Sequence, residues 1–328
     1  MNRITRIEIA GYRSLDKPAS LDLTPLTVLI GANGAGKSTV LSAFEHFGGL
    51  IKDSIQDQLP LDLPPTAGQN PTDRNPLRIT VSTGEDAWTV AAPRLGEATR
   101  PLDDPPRWTD DAKRWRVLTC PDVRHRTASP AYRSTVVSGD AMNLAGYLME
   151  MQAQEPVAFQ RIQDSLRLAV PDVRHLNPVK VPGTDYDPPW VELGWTDADG
   201  NDRGPAELSA GTLRFLALAS VLQAPDAWLP RVVLLDEPET SMNPYSVTLA
   251  AAMMKAASNR TTVVAATQSP ILLDELTVDD VVTMEPPGPS QAATFYRHTQ
   301  HDVKTLLEDY SLSELWQKNV LGGRQREG

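Results

Sequence analysis

Residues 31–39 read GANGAGKST directly after the apolar run LTVLI at 26–30, and no other segment restricts the fold as much. Gly31, four residues, then Gly36-Lys37-Ser38, set between a buried strand and a helix start, is the arrangement that grips a nucleoside triphosphate. Glycines let successive backbone N–H groups turn inward around the β-phosphate, where a Cβ would obstruct them. Asn33, Gly34, Ala35, Gly36, Lys37, Ser38 and Thr39 are therefore the expected phosphate contacts. Lys37 brings a compact positive charge to the β- and γ-phosphates, and the Ser38 hydroxyl can ligate Mg2+. A helix beginning near Lys37 aims its positive dipole end at the same anion.

A second element lies far downstream. RVVLLDEPET (231–240) is an aliphatic strand ending in Asp236-Glu237. A strand apolar on both faces belongs inside a parallel sheet, and the carboxyl ends of such strands are where these sheets bind ligands. Asp236 is the expected Mg2+ ligand, directly or through water. Glu237 is the expected general base that polarises an attacking water. The acidic pair alone is weak, but coupled to the upstream glycine loop it defines a nucleotide-hydrolysing constellation.

Three further segments narrow the class. Leu208-Ser209-Ala210-Gly211-Thr212 precedes a long apolar helix. Ser209, Gly211 and that helix N-terminus form an anion-binding corner with no phosphate of its own in the same subunit. Pro238 to Pro244 turns from the acidic pair into the next helix. TTVVAATQSP (261–270) is another buried strand, ending in Thr267, Gln268 and Ser269.

Together, GANGAGKS, LSAGT, LLDEPET, SMNP and ATQSP resemble the ATP-binding-cassette ATPases, specifically the compact SMC/RecF-like branch. That branch includes relatives of the overcoming-lysogenization-defect (OLD) and Septu-type defence ATPases. The opening ITRIEIAGYRSL, the stretch at 139–162 and the tail DYSLSELWQKNVLGG at 309–323 are similar to it as well. The resemblance implies an α/β P-loop fold of the cassette-ATPase head type: a mixed, largely parallel central sheet, an antiparallel β subdomain and a helical insertion. It implies one head. Residues 1–50 carry the first strands and P-loop, 51–205 the β subdomain and helical insertion, 206–300 the signature, acidic strand and switch, and 301–328 a tail.

It further implies that two subunits sandwich two ATP molecules, each site facing Ser209–Thr212 of the other copy. Glu237, Gln268 and Lys37 would be catalytic. Arg13 is either a nucleotide contact or a surface strand residue. Gln268 stands where cassette ATPases usually carry histidine; an amide still donates a hydrogen bond but carries no charge. Slow hydrolysis, or heavier reliance on Glu237, is the consequence. No metal-linked glutamine is found in CPDVRHR (120–126). The Ser38–Leu208 interval is Pro-broken and lacks heptads, which excludes long coiled-coil arms. The residues after about 300 are too few for a nuclease domain, so an effector, a nuclease or similar, would be a separate protein.

Local patterns complete the reading. Strands are expected at 4–12, 20–23, 77–83, 87–92 and 114–119, and a helix after Lys37 with Val40, Leu41, Phe44 and Phe47 on one face, stopping at Gly48-Gly49. Two helices follow, one capped near Asp140 and one starting at Pro156, then a hairpin around the Asp-Gly turn at 199–200. The last third predicts alternating helices and strands at 212–223, 231–235, 244–258, 261–266, 280–284 and 293–298.

Bulk properties bound the context. The 328 residues carry a formal net charge of −11, which repels nucleic acid on average and makes any DNA contact local. Residues 94–133 lean the other way, with nine basic side chains (Arg94, Arg100, Arg107, Lys113, Arg114, Arg116, Arg124, Arg126, Arg133) against six acids; they form either a solvated mixed face or a phosphate-contacting patch. LRFLALASVL (213–222) is too short to span a bilayer, and the N-terminus has no signal-peptide core. Cys120 is the only cysteine, so no intramolecular disulfide forms and a cytoplasmic location is expected. The leading expectation is a Mg2+-dependent ATPase, homodimeric on ATP, acting in DNA maintenance or phage defence. A nucleotide-gated scaffold that sequesters an effector is the alternative, and a transporter's nucleotide-binding subunit is disfavoured by the signature.

Overall fold

A computed structural model describes residues 3–53, 75–92, 100–101, 106, 108–119, 128–131, 133–181, 189–285 and 292–323. The chain forms two compact units. The first comprises residues 1–117, 230–236 and 261–328, and the second residues 118–229 and 237–260.

In chain order the elements are β1 (Ile4–Ala10), β2 (Ala19–Asp22), β3 (Leu26–Ile30), α1 (Lys37–Asp53), β4 (Leu77–Thr83), β5 (Ala87–Ala92), β6 (Arg100–Pro101), α2 (Thr109–Ala112) and β7 (Val117–Leu118). Next come β8 (Ala128–Pro130), α3 (Leu144–Gln154), α4 (Pro156–Ala169), β9 (Val173–Val181), β10 (Trp190–Asp197), β11 (Asp202–Arg203) and α5 (Ala210–Leu222). The remainder is β12 (Val232–Asp236), α6 (Pro244–Ser258), β13 (Thr262–Ala266), α7 (Pro270–Asp274), β14 (Val281–Glu285), β15 (Thr294–Arg297), α8 (Gln300–Val303) and α9 (Leu312–Gln317).

The first unit is built on a six-stranded sheet ordered β15-β14-β3-β13-β12-β7. β3 lies parallel to both β13 and β14, and β12 parallel to β13. All five residues of β3 and of β13 are buried, as strands covered on both faces must be. The same unit holds a five-stranded antiparallel sheet, β2-β1-β4-β5-β6. Val40, Leu41, Phe44 and Phe47 of α1 are fully buried, and Phe47 sits among Trp88, Trp108 and Trp115 with ring centroids 5.3–6.4 Å apart. The second unit carries an antiparallel sheet, β11-β10-β8 with β9 also on β10, together with α3–α6. Leu144, Leu148, Met151, Phe159, Ile162 and Leu166 are its buried helical faces. Arg260 closes the end of α5, donating to the carbonyl of Leu222 in its last turn and to that of Ala224 just beyond it.

Several boundaries differ from the sequence reading for definable reasons. α1 does not stop at Gly48-Gly49 but runs to Asp53. Gly48 is there because a Cβ would overlap the Ala112 carbonyl, so the glycine marks a close approach rather than a helix end. Asp140 does not cap α3; its carboxylate accepts from the Met142 N–H in a turn, and the helix starts at Leu144. Only Val117–Leu118 of the 114–119 run is extended, because Trp115 is drawn into the aromatic core with its indole N–H on Asp111. β9 was not anticipated: its burial does not alternate cleanly. The expected strands at 77–83 and 87–92, the Pro156 helix start, helix 244–258 and the 199–200 turn match what is found. Among the described residues no helix is long and apolar enough to cross a membrane.

Candidate nucleotide site

The first unit brings three strand ends to one edge. In the parallel registers Asp236 pairs with Ala266, and Ala266 with Leu29. β12, β13 and β3 therefore terminate level with one another, and each hands the chain to a site segment: Asp236 itself, Thr267-Gln268, and the loop from Gly31. Neighbouring strands lie about 4.8 Å apart, so the acid and the loop are separated by roughly 10 Å. The Thr267 N–H donates to the Leu29 carbonyl at 3.1 Å, tying the switch segment to the strand that feeds the loop. Ser269 caps α7, its Oγ accepting from the Leu272 N–H, which fixes the chain direction immediately after Gln268.

The loop itself has the backbone that its glycines permit. Gly34 and Gly36 have φ of +78° and +105°, the left-handed region that favours glycine. A Cβ on Gly36 would stand 2.8 Å from Met284 Cε and 3.0 Å from Ser14 Oγ. Asn33, Gly34 and Ser38 are exposed, whereas Ala35 and Lys37 are buried. Lys37 Nζ donates to the Gly31 and Ala32 carbonyls at 2.7 and 3.0 Å, which holds its charge over the loop. Thr39 accepts from Ser14 Oγ at 3.1 Å.

Arg13 is not part of a strand. It occupies a left-handed turn, φ +49°, after β1. Its Nη1 donates to Ser42 Oγ at 3.0 Å and its guanidinium lies over the Tyr12 ring. It thus stands one turn of α1 beyond Ser38, whose carbonyl accepts from Ser42 Oγ. Burial pushes the carboxyl of nearby Glu45 up from its ordinary range, against the opposing pull of the Val117 N–H, Arg116 and Arg13.

The second unit holds the signature corner. Ser209 is the N-cap of α5, its Oγ accepting from the Thr212 N–H at 3.1 Å. Gly211 abuts the turn 237–243: any Cβ there would overlap the Ser241 carbonyl. That turn is wound tightly, with Glu237 at φ +47° and Ser241 at +65°. It is closed by Thr240 N–H to Glu237 O and Met242 N–H to Glu239 O. Asn243 then caps α6 through the Ser246 N–H. Glu237 is exposed at the head of this turn.

The basic window resolves in part. Lys113 pairs with Asp110, Arg114 with Asp111, and Arg133 with Glu150, which favours the solvated mixed face for these three. Arg94, Arg107, Arg124 and Arg126, like CPDVRHR, lie outside the described residues. The sequence reading passed over Ala32 within the loop, and Ser14 and Met284, which shape it from outside. Among the described residues no group of three or more His, Cys, Asp or Glu side chains could hold a metal ion by itself.

Residues 3–74 match the family described as "AAA ATPase domain", and residues 162–274 match "AAA domain, putative AbiEii toxin, Type IV TA system". No curated protein matches the chain. Among solved structures, the chain is similar to an Smc head bound to the C-terminal winged-helix domain of ScpA, with 15% identity, TM-score 0.61, and coverage of 90% of this chain and 98% of that one. It is also similar to the Pyrococcus furiosus Smc head domain with an extended coiled coil bound to the C-terminal domain of ScpA, with 12% identity, TM-score 0.59, and coverage of 94% and 99%. The chain thus has the fold of SMC head domains, and its residues 3–74 and 162–274 are similar to AAA ATPase family models.

Proposed function

We propose that the protein is a Mg2+-dependent ATPase whose reaction centre is completed by a second copy of the chain. The observation that carries this is the level termination of β3, β13 and β12, which gathers the phosphate loop, Gln268 and Asp236 at one sheet edge. Left-handed glycines and a buried lysine held over the loop fit a polyphosphate. Ser38 and Asp236 would hold Mg2+, which when bound supplies charge neutralisation at the phosphates. Glu237, exposed at the head of its turn, would accept the proton of the attacking water. Gln268 would orient that water or the phosphate through its amide.

A second copy enters because Leu208–Thr212, the corner capped by Ser209 at the start of α5, resembles the signature that cassette ATPases present to a partner subunit's nucleotide. Packed on the 237–243 turn, that corner would approach the triphosphate of another subunit as one rigid piece. ATP would then join the two copies, and hydrolysis would release them. Static light scattering with and without ATP tests this. ATP should double the mass of the wild type, whereas Ser209→Arg should bind nucleotide but stay monomeric and lose turnover. Full-rate hydrolysis by a strictly monomeric protein, unaffected by dilution, overturns the composite site.

The context follows at one remove. The second matched family's name refers to a toxin of a type IV system, and the Smc relatives are bound to a separate ScpA domain. The ScpA-bound Smc structures support action through a separate effector; we read that effector as a nuclease or similar, and its context as phage defence or DNA maintenance. The uncharged Gln268 favours one other reading, a nucleotide-gated scaffold with little turnover. Wild-type hydrolysis no faster than that of Glu237→Gln would select it.

A further inference from the structure

The phosphate loop has a support that its glycine pattern does not account for. The Ala32 N–H donates to the carbonyl of Gly323 at 2.6 Å. Gly323 has φ +77°, and a Cβ there would overlap Thr283 Cγ2 while standing 3.3 Å from the Met284 carbonyl and 3.4 Å from Gly31 Cα. Gly31 in turn leaves no room for a Cβ beside the Met284 carbonyl. Three segments, the end of β14, the start of the phosphate loop and the end of the tail, are thus packed backbone to backbone, with the Thr283 methyl against Gly323.

The tail reaches that position by a determined path. Ser311 and Glu314 cap α9 reciprocally. The N–H and Oγ of Ser313 both donate to the Asp274 carboxylate, each at 2.8 Å. Asp274 ends α7, the helix that begins just after Gln268. At its other end α9 stops in a left-handed turn at Asn319, with Val320 N–H on the Leu315 carbonyl and Asn319 N–H on that of Trp316. Leu321 is buried and its carbonyl meets His298 Nε2 at 3.0 Å. Gly322 and Gly323 then carry the chain onto Ala32.

We infer that residues 312–323 are a strap that positions the nucleotide loop, fastened at Asp274 behind the Gln268 segment and at Ala32 on the loop itself. The inference rests on the nucleotide reading above. Ala32 is a positioning residue: its N–H is spent on the strap, while Gly31 is wedged between Gly323 and Met284. Loosening either end should weaken ATP binding more than it slows the bound enzyme.

Fluorescent-ATP titration and steady-state kinetics on the full chain test this. Gly323→Ala should raise the ATP Kd and KM roughly three- to tenfold, as expected for one backbone hydrogen bond, with little change in kcat. Asp274→Asn, which leaves the loop untouched, should move both in the same direction. Adding Thr283→Ala to Gly323→Ala removes the overlapping methyl and should recover part of the affinity. Leu166→Ala, in the core of the second unit, is the control for general destabilisation: an equal rise in Kd there overturns the strap, as does an unchanged Kd in both strap variants. A wild type that fails to bind ATP overturns the nucleotide reading itself, and the strap with it.

Discussion

Gly211 packs so closely on Ser241 that its α-carbon has no space for a methyl group beside the Ser241 carbonyl. The corner that begins α5 and the turn that follows Glu237 are therefore one mechanical piece within the second unit. Gly211→Ala must push the turn away or distort the helix start. Overpacking of this kind costs about 1–3 kcal/mol. Calorimetry should show a lower Tm, by roughly 2–4 °C per kcal/mol, and ATP turnover should fall along with it. An unaltered Tm with full turnover would mean that the turn and the corner are not coupled.

Lys37 is buried, and its ammonium already spans two loop carbonyls. Lys37→Ala removes the charge that a triphosphate would use. Charge-assisted hydrogen bonds contribute about 1.5–3 kcal/mol each, so isothermal titration should show ATP affinity reduced at least tenfold. Far-UV circular dichroism should remain that of the wild type, since α1 keeps its buried aromatic face.

Glu237→Gln keeps the size of the side chain and removes the proton acceptor. Turnover measured by phosphate release should drop by about 10²–10⁴-fold, while ATP binding survives. The ATP-joined dimer should then persist on a sizing column for longer than it does with wild type.

Acid should unsettle the second unit through Asp197. Hydrogen bonding from the Asn201 backbone N–H, opposed by burial and helped by Arg203 and the Asn201 side chain, holds its carboxyl down to about 2. A carboxyl whose pKa is lower folded than unfolded stabilises the fold above the unfolded value, near 3.9. That contribution disappears as pH falls from about 4 to about 2. Asp197→Asn should flatten the pH dependence of Tm across this window, as followed by thermal melts.

Much of the site was legible in the sequence because its parts are local. The Gly31–Ser38 loop, the aliphatic run ending at Asp236 and the Ser209 cap each announce themselves within a few residues. The fold class followed from the resemblance that these motifs carry. What stayed hidden is non-local. Gly48 reads as a helix stop from its own flanks, yet it is a glycine because α2 occupies the space that a side chain would fill, and the helix continues past it. Trp115 reads as a strand residue until the aromatic core claims it. Gly322-Gly323 looks like an ordinary polar chain end. Only the folded chain brings it against Ala32, a residue almost the full length of the sequence away. A doubled glycine after a capped amphipathic helix was the available signal.

The placement of β3 has a consequence for biosynthesis. Its sheet neighbours, β13 and β14, lie some 235 residues or more further along the chain. At ordinary translation rates of about 5–20 residues per second, Leu26–Ile30 emerges from the ribosome roughly 10–50 s before either flank can be covered. During that interval the nascent chain exposes a largely aliphatic segment with both backbone edges unpaired. The strand that feeds the Gly31–Ser38 loop thus needs a holding chaperone while the polypeptide is being made.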